Sequence, residues 1–169
     1  MARVQKSKSS ARADDHDHGV CISDALSAAA VLCLARGTRL TELRRLVLGL
    51  VWASHRPIGA YELLAKLGRE GRVAAPPTVY RALDFLLDHG LVHRVESRNA
   101  FIGCAAPGHD LTRSIFICGD CDCVAEISDP RLTRDIVASA ARIGFEVRRP
   151  TIEVLGRCRH CRATADAHA

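Results

Sequence analysis

The chain has few aromatic residues and no long apolar run. Aromatic residues make up only 4% of its 169 residues although 48% are hydrophobic, so we expect an aliphatic core in which Trp52 and Tyr61 are buried. The longest apolar stretch, about residues 25–35, is far shorter than the roughly 20 residues that span a bilayer. The polar N-terminus has no apolar signal core, so we predict a cytoplasmic protein without a membrane segment.

The sequence also lacks the patterns that accompany common enzyme chemistry. It contains no Ser-His-Asp arrangement, no glycine loop of the kind that cradles phosphates, and no paired carboxylates in a plausible cleft. We therefore expect a protein that is not an enzyme and has no small-molecule substrate.

Positive charge is confined to one part of the chain. Residues 36–98 carry eleven basic and six acidic side chains, whereas the segments on either side are balanced and the net charge is +5. A basic segment is where phosphate contacts to nucleic acid are expected. An excess of this size is also compatible with an ordinary solvated surface.

The best-marked helix runs between Pro76-Pro77 and Gly90. Proline fits the first helical turn, and a glycine past the end can adopt the left-handed conformation that closes a helix. One apolar stripe recurs between them at helical spacing: Val79, Leu83, Leu86 and Leu87. Thr78 and Arg81 lie off this stripe, so the arginine of an anchored helix could enter a DNA groove. A surface helix with solvated charges is the alternative.

The residues before this helix predict further helices over about 23–36, 41–54 and 60–69. Helices followed by a short strand pair are the plan of a winged helix-turn-helix. We assign residues 21–98 to this domain and predict a disordered polar tail over residues 1–20.

Two strands, over residues 92–97 and 100–104, are predicted to form a hairpin around Arg98-Asn99. If those two residues form the turn, the numbers of facing positions sum to 197, and His93 faces Cys104. Facing Cβ atoms in a sheet are about 4.5 to 5.5 Å apart. An imidazole and a thiolate at this distance can bind one metal ion.

The C-terminal part predicts an α+β domain with an antiparallel sheet. Its strands are expected over about residues 114–117, 124–127 and 145–155, with a helix over about 130–143. The composition changes near residues 97–99, from basic and helical to balanced and rich in strands. We place this second domain at residues 99–162, followed by a tail over 163–169.

Eight cysteines in a cytoplasmic protein indicate a metal site rather than disulfides. Cys118-x-x-Cys121 and Cys158-x-x-Cys161 are separated by 36 residues, and two such turns complete a tetrahedral zinc site. A redox dithiol is the alternative. Cys123 is a substitute candidate, although a single intervening residue is the less usual geometry. Cys21 and Cys33 are interpreted as small hydrophobic residues.

Several segments together resemble the Fur superfamily of metalloregulators, and most of all its zinc uptake regulators. They are residues 76–86 (PPTVYRALDFL), 91–97 (LVHRVES) and 116–121 (FICGDC), with the distal Cys158-x-x-Cys161. Thr41-x-x-Arg44 also matches the superfamily's second helix. The resemblance covers about residues 26–161.

The resemblance implies a zinc-responsive transcriptional repressor that controls genes of zinc uptake and homeostasis. Its N-terminal winged helix would bind pseudo-palindromic operator DNA, and its C-terminal α/β domain would form a homodimer. The residues that the resemblance assigns to DNA contacts are Arg44, Thr78, Tyr80 and Arg81.

The resemblance also implies two zinc sites per chain. The four cysteines of the two Cys-x-x-Cys turns match the structural site. The matching regulatory ligands are His93, Cys104, Glu126 and His109, the last at a different spacing from the superfamily's histidine-rich loop.

Two alternatives remain at the level of sequence. The first is an iron or peroxide sensor of the same superfamily, against which the thiolate of Cys104 argues, because iron sensors use nitrogen and oxygen ligands. The second is a zinc-stabilised module that binds protein rather than DNA.

Overall fold

The computed structural model describes residues 18–53, 56–72, 75–105, 107, 113–148 and 150–166. The chain divides into two compact units, with the boundary after residue 108. The predicted boundary at 98/99 is wrong, because it would separate two paired strands of one sheet. No helix in the described ranges is long and apolar enough to cross a membrane.

The N-terminal unit contains four helices and a three-stranded sheet. Its elements are α1 (His18–Ala35), α2 (Glu42–Trp52), β1 (Ile58–Gly59), α3 (Ala60–Arg69), α4 (Pro76–Asp88), β2 (Val92–Val95) and β3 (Ala100–Gly103). The strand order is β1-β3-β2, with antiparallel pairs throughout. The winged-helix plan is therefore confirmed.

The helix boundaries follow the sequence signals closely, except at the first helix. Gly37, Gly71 and Gly90 follow α1, α3 and α4 with positive φ, as expected of helix stops. α1 begins at His18, inside the segment predicted to be a disordered tail, so that tail prediction is wrong for residues 18–20. Residues 1–17 of the predicted tail lie outside the described residues.

A single aliphatic cluster forms the core of this unit. Its buried members are Ala29, Cys33, Val47, Leu48, Val51, Ile58, Ala60, Leu63, Leu67, Val79, Ala82, Leu83, Leu86, Leu91, Val92 and Phe101. They include most of the α4 stripe, so α4 is anchored by its apolar side. Phe101 is the one aromatic residue among these buried members, while Trp52 packs against the cluster and is partly buried.

The hairpin register differs from the prediction by two residues. His93 pairs with Ile102, not with Cys104, and Val95 pairs with Ala100. The difference arises because Glu96–Arg98 form a 3-10 turn, so the loop is centred earlier in the chain than Arg98-Asn99. Side chains in a strand alternate with a period of two. A shift of two therefore leaves His93 and Cys104 on the same face, as diagonal rather than facing neighbours.

The C-terminal unit contains a three-stranded sheet and two helices. Its elements are β4 (Arg113–Cys118), β5 (Val124–Ser128), α5 (Pro130–Arg142), β6 (Ile152–Gly156) and α6 (Arg159–Asp166). The α+β class is confirmed. The last helix was not predicted, and it continues into the predicted tail over residues 163–169.

The sheet of this unit is mixed, not antiparallel. β4 pairs with β5 antiparallel but with β6 parallel. β6 begins at Ile152, later than the predicted start at residue 145, because residues 143–145 form the end of α5. There Gly144 N donates to Ala141 O at 3.0 Å and Phe145 N donates to Ala140 O at 2.9 Å, which is the hydrogen-bond pattern of a helix C-cap.

We predict that Gly103→Ala destabilises the N-terminal unit by roughly 1 to 3 kcal/mol, the usual cost of overpacking. A Cβ atom on Gly103 would overlap the indole ring of Trp52. Urea unfolding followed by the fluorescence of Trp52, the only tryptophan, measures this. Gly68→Ala in α3 is the control, because a Cβ there meets nothing within 4 Å. Equal stability of the two variants would contradict the packing of Trp52 on β3.

Candidate metal centre and nucleic-acid interface

The two Cys-x-x-Cys turns meet because β4 and β6 are parallel. β4 ends at Cys118 and β6 ends at Gly156, with these two residues paired in register. Gly119 N donates to Gly156 O at 2.8 Å, which extends the pairing past the strand ends. Both turns therefore leave the sheet at the same edge, which antiparallel strands would not allow.

Four of the five sulfur atoms in this cluster lie at distances suited to one zinc ion, and Cys123 rather than Cys161 completes that four. The sulfurs of Cys118, Cys121, Cys123 and Cys158 all lie within 4.8 Å of one another, and Cys161 lies within 4.8 Å of Cys118. The Cys121 and Cys158 sulfurs are 3.8 Å apart. Tetrahedral zinc with Zn–S bonds of about 2.3 Å requires sulfurs about 3.8 Å apart. The donor chemistry and spacing therefore fit zinc.

Backbone amides support the thiolate form of two of these cysteines. Burial raises the pKa of Cys118, but amides of Cys158, Asp120 and Cys121 donate to its sulfur and bring the pKa down to about 6. The amide of Cys161 donates to the Cys158 sulfur at 3.4 Å and lowers the pKa of that thiol.

The pKa values of two other thiols in the cluster are shifted in the opposite direction. Burial and the neighbouring cysteines raise the pKa of both Cys123 and Cys161. Like charges a few ångströms apart repel, so these thiols cannot all ionise together. A dication is the group that would allow four of them to carry charge.

The predicted regulatory ligands fall on both units. His93 lies on β2 and Cys104 directly after β3, and a ring nitrogen of His93 lies within 4.8 Å of the Cys104 sulfur. Cys104 N donates to Leu91 O at 3.0 Å, which fixes the cysteine in the hairpin ladder. Glu126 lies on β5 of the C-terminal unit and is 9% exposed. His109 lies outside the described residues.

The exposed side of α4 carries three of the predicted DNA contacts. Thr78, Tyr80 and Arg81 are all exposed, while the apolar stripe on the other side of the helix is buried. Arg81 forms no ion pair with any residue that the structure describes. By contrast, Arg72 and Arg94 pair with the nearby Glu42 and Glu96.

Arg44, the fourth predicted contact, is held by the protein itself. Its guanidinium lies 3.4 Å from the centroid of the Phe85 ring and donates to Arg39 O at 2.6 Å. This cation–π contact joins α2 to α4. Arg44 therefore supports the position of α4, in addition to the DNA contact predicted for it.

Tyr61 was expected in the core, and that prediction is wrong. Its side chain is 78% exposed, and it lines one cleft with Tyr80 and Asp84. The buried apolar stripe of α3 is formed by Leu63 and Leu67. Tyr61 lies off that stripe. The position of Tyr61 beside Tyr80 adds it to the candidate nucleic-acid face.

Comparison with known proteins identifies the family. The model of the ferric uptake regulator family matches residues 35–155. The chain belongs to the ferric uptake regulator (Fur) family. Within this family it is 41% identical over 139 residues to the zinc uptake regulation protein of Escherichia coli (strain K12), covering 80% of each chain. The same values hold for the zinc uptake regulation protein of Shigella flexneri.

Solved structures of Fur-family zinc regulators have the same fold. The crystal structure of holo XcZur is 40% identical with a TM-score of 0.78, covering 84% of this chain and 99% of that one. A zinc uptake regulator complexed with zinc and DNA is 38% identical with a TM-score of 0.79, covering 86% of this chain and 97% of that one.

We predict that removing the second cysteine turn, with Cys158→Ala and Cys161→Ala together, abolishes zinc binding at the thiol cluster. Without these ligands the zinc cross-link between the two turns is lost, so only backbone pairing joins β4 to β6, and we expect the C-terminal unit to unfold. Metal analysis should show one zinc fewer per chain, and circular dichroism should show the loss of its helices. Cys21→Ala is the control. An unchanged zinc content would contradict this assignment.

Proposed function

We propose that this Fur-family protein is a cytoplasmic, zinc-responsive transcriptional repressor. In this proposal a zinc-loaded homodimer binds pseudo-palindromic operator DNA and controls genes of zinc uptake and homeostasis. The observation that carries the proposal is the similarity, over 86% of this chain, to a zinc uptake regulator complexed with zinc and DNA.

The proposal assigns two zinc ions to each chain. The structural ion takes Cys118, Cys121, Cys158 and Cys161. The C-terminal unit has reason to need it, because few of its described hydrophobic residues are buried: Ile115, Ile117, Cys118 and Val124. Zinc bonds to four thiolates contribute folding free energy directly where a hydrophobic core is small.

The regulatory ion takes His93 and Cys104 from the hairpin. Their proximity on one face supports this choice, and family resemblance supplies Glu126 and His109. A set of one thiolate, imidazole nitrogen and carboxylate suits tetrahedral zinc. Zinc bound by ligands from both units would limit how the two DNA-binding units of a dimer can be oriented. It would then favour the orientation in which both units match successive major grooves.

The proposed DNA contacts lie on α4, with Thr78, Tyr80 and Arg81 on its exposed side. An arginine can donate two hydrogen bonds to a guanine edge in the major groove. Arg44 would contact the DNA backbone, and its contact with Phe85 supports the position of α4.

The proposed dimer surface lies on the C-terminal unit. Large apolar side chains are exposed there in the single chain: Ile127, Leu132, Ile136, Val137, Ile143, Phe145, Val154 and Leu155. Leu132 and Ile136 lie about 40° apart around α5, at about 100° per residue. Apolar patches of this kind mark protein interfaces, and a second copy of the chain is the partner that the family resemblance implies.

We predict that Cys104→Ala abolishes zinc-dependent operator binding but leaves a folded dimer. The hairpin loses its thiolate ligand, while the thiol cluster of the C-terminal unit is unchanged. Gel-shift titrations with and without zinc measure operator binding, and metal analysis should still show the structural ion. The loss of both ions from this variant would contradict the assignment of Cys104 to a separate site.

Arg81→Ala should weaken operator binding by roughly 5- to 150-fold, since one good arginine–base contact contributes about 1 to 3 kcal/mol of discrimination. Zinc content should stay unchanged. The matched control is Arg142→Ala, which removes an exposed arginine of the C-terminal unit. If both variants bind the operator like the wild type, Arg81 is not at the DNA interface.

Ile136→Asp should convert the dimer to a monomer, because a carboxylate would be buried in an apolar interface without a partner. Analytical ultracentrifugation measures this. Ala138→Asp adds the same charge on the opposite side of α5 and should leave the dimer intact. A dimer that persists in the Ile136→Asp variant places the interface elsewhere.

A further inference from the structure

The first cysteine turn has one more thiol than a four-thiolate site needs. The sulfur of Cys123 lies within 4.8 Å of the sulfurs of Cys118, Cys121 and Cys158, and these three lie within the same distance of each other. Cys161 is outside this quartet; its sulfur lies within 4.8 Å of the Cys118 sulfur and of an Asp120 carboxylate oxygen.

The backbone holds Cys123 beside Cys118. Asp122 adopts a left-handed conformation with φ +55°, which reverses the chain between Cys121 and Cys123. Asp122 N donates to Cys118 O at 3.1 Å, and Cys118 N donates to Cys123 O at 3.0 Å. These hydrogen bonds join the two ends of the loop over 118–123. The backbone, and not only the side-chain rotamer, therefore places the Cys123 sulfur near Cys118.

Cys161 has less support from packing. It lies in the first turn of α6, and the other side chains of α6 that the structure describes are exposed. The first turn of α6 is attached to Cys158, whose sulfur accepts from Cys161 N at 3.4 Å and whose carbonyl accepts from Arg162 N at 3.0 Å. Two thiols, one on a closed loop and one on an exposed helix, thus lie beside the Cys118 sulfur, and the second is attached by its backbone to Cys158.

We propose that Cys123 and Cys161 are interchangeable fourth ligands of the structural zinc ion, with Cys118, Cys121 and Cys158 as the constant three. This inference rests on the structural site proposed above. In the exchange the zinc bond to the Cys161 sulfur breaks and a bond to the Cys123 sulfur forms. The proton of the Cys123 thiol passes through solvent to Cys161, so four thiolates and one thiol are present before and after. The first turn of α6 can therefore give up its zinc bond without the site losing its ion.

Alkylation of the zinc-loaded, full-length wild type with iodoacetamide, followed by peptide mapping, tests the exchange. Zinc-bound thiolates are protected, so the cluster should take one label per chain, divided between Cys123 and Cys161 and never on both in one molecule. Labelling of Cys123 alone, or of Cys161 alone, would show a fixed fourth ligand and overturn the inference. Labelling of all five cysteines would instead overturn the structural site itself.

Variants give a second readout by zinc content after mild chelation. Cys123→Ala and Cys161→Ala should each keep one chelator-resistant zinc per chain, whereas the double variant should lose it, because only three thiolates remain. If either single variant loses this zinc as the double variant does, the two cysteines are not interchangeable.

Discussion

The C-terminal unit depends on one constraint, the parallel pairing of β4 with β6. Because both strands run in the same direction and end at paired residues, the turns that follow them meet at one edge of the sheet. The resulting group of sulfurs has the spacing of a tetrahedral zinc site. The same unit exposes many apolar side chains and buries few among its described residues: Ile115, Ile117, Cys118 and Val124. Metal coordination and association with a second chain are thus the two contributions that would complete this unit.

The N-terminal unit, by contrast, has an extensive hydrophobic core. Its aliphatic cluster joins all four helices to the sheet. This core buries one side of α4 and exposes Thr78, Tyr80 and Arg81 on the other. The hairpin that follows α4 carries His93 and Cys104 on one face. The proposed regulation follows from this arrangement, because the helix proposed to contact DNA and the hairpin proposed to bind the regulatory zinc are consecutive in the chain.

The sequence predicted most of the elements but not how the strands pair. α3 and α4 begin and end where local signals place them, since proline, glycine and helical periodicity act within a few residues. The direction of β6 depends on a crossover through α5, which no local pattern encodes. The hairpin register was wrong by two because the 3-10 turn at Glu96–Arg98 has no clear sequence signature. The shared face of His93 and Cys104 survived that error because strand side chains alternate with a period of two. Tyr61 was misplaced because aromatic residues usually favour a core, whereas its position on α3 lies off the buried stripe.

Zinc-dependent operator binding is tested by a titration against free zinc, with the zinc content of the protein measured at each point. We expect two zinc ions per chain at saturation and one after mild chelation. Operator affinity should fall by roughly 5- to 150-fold, the usual range of allosteric coupling, as the second ion leaves. Operator affinity that is unchanged by loss of that ion, or that is restored by Fe²⁺ or Mn²⁺ rather than by zinc, would contradict zinc-dependent operator binding.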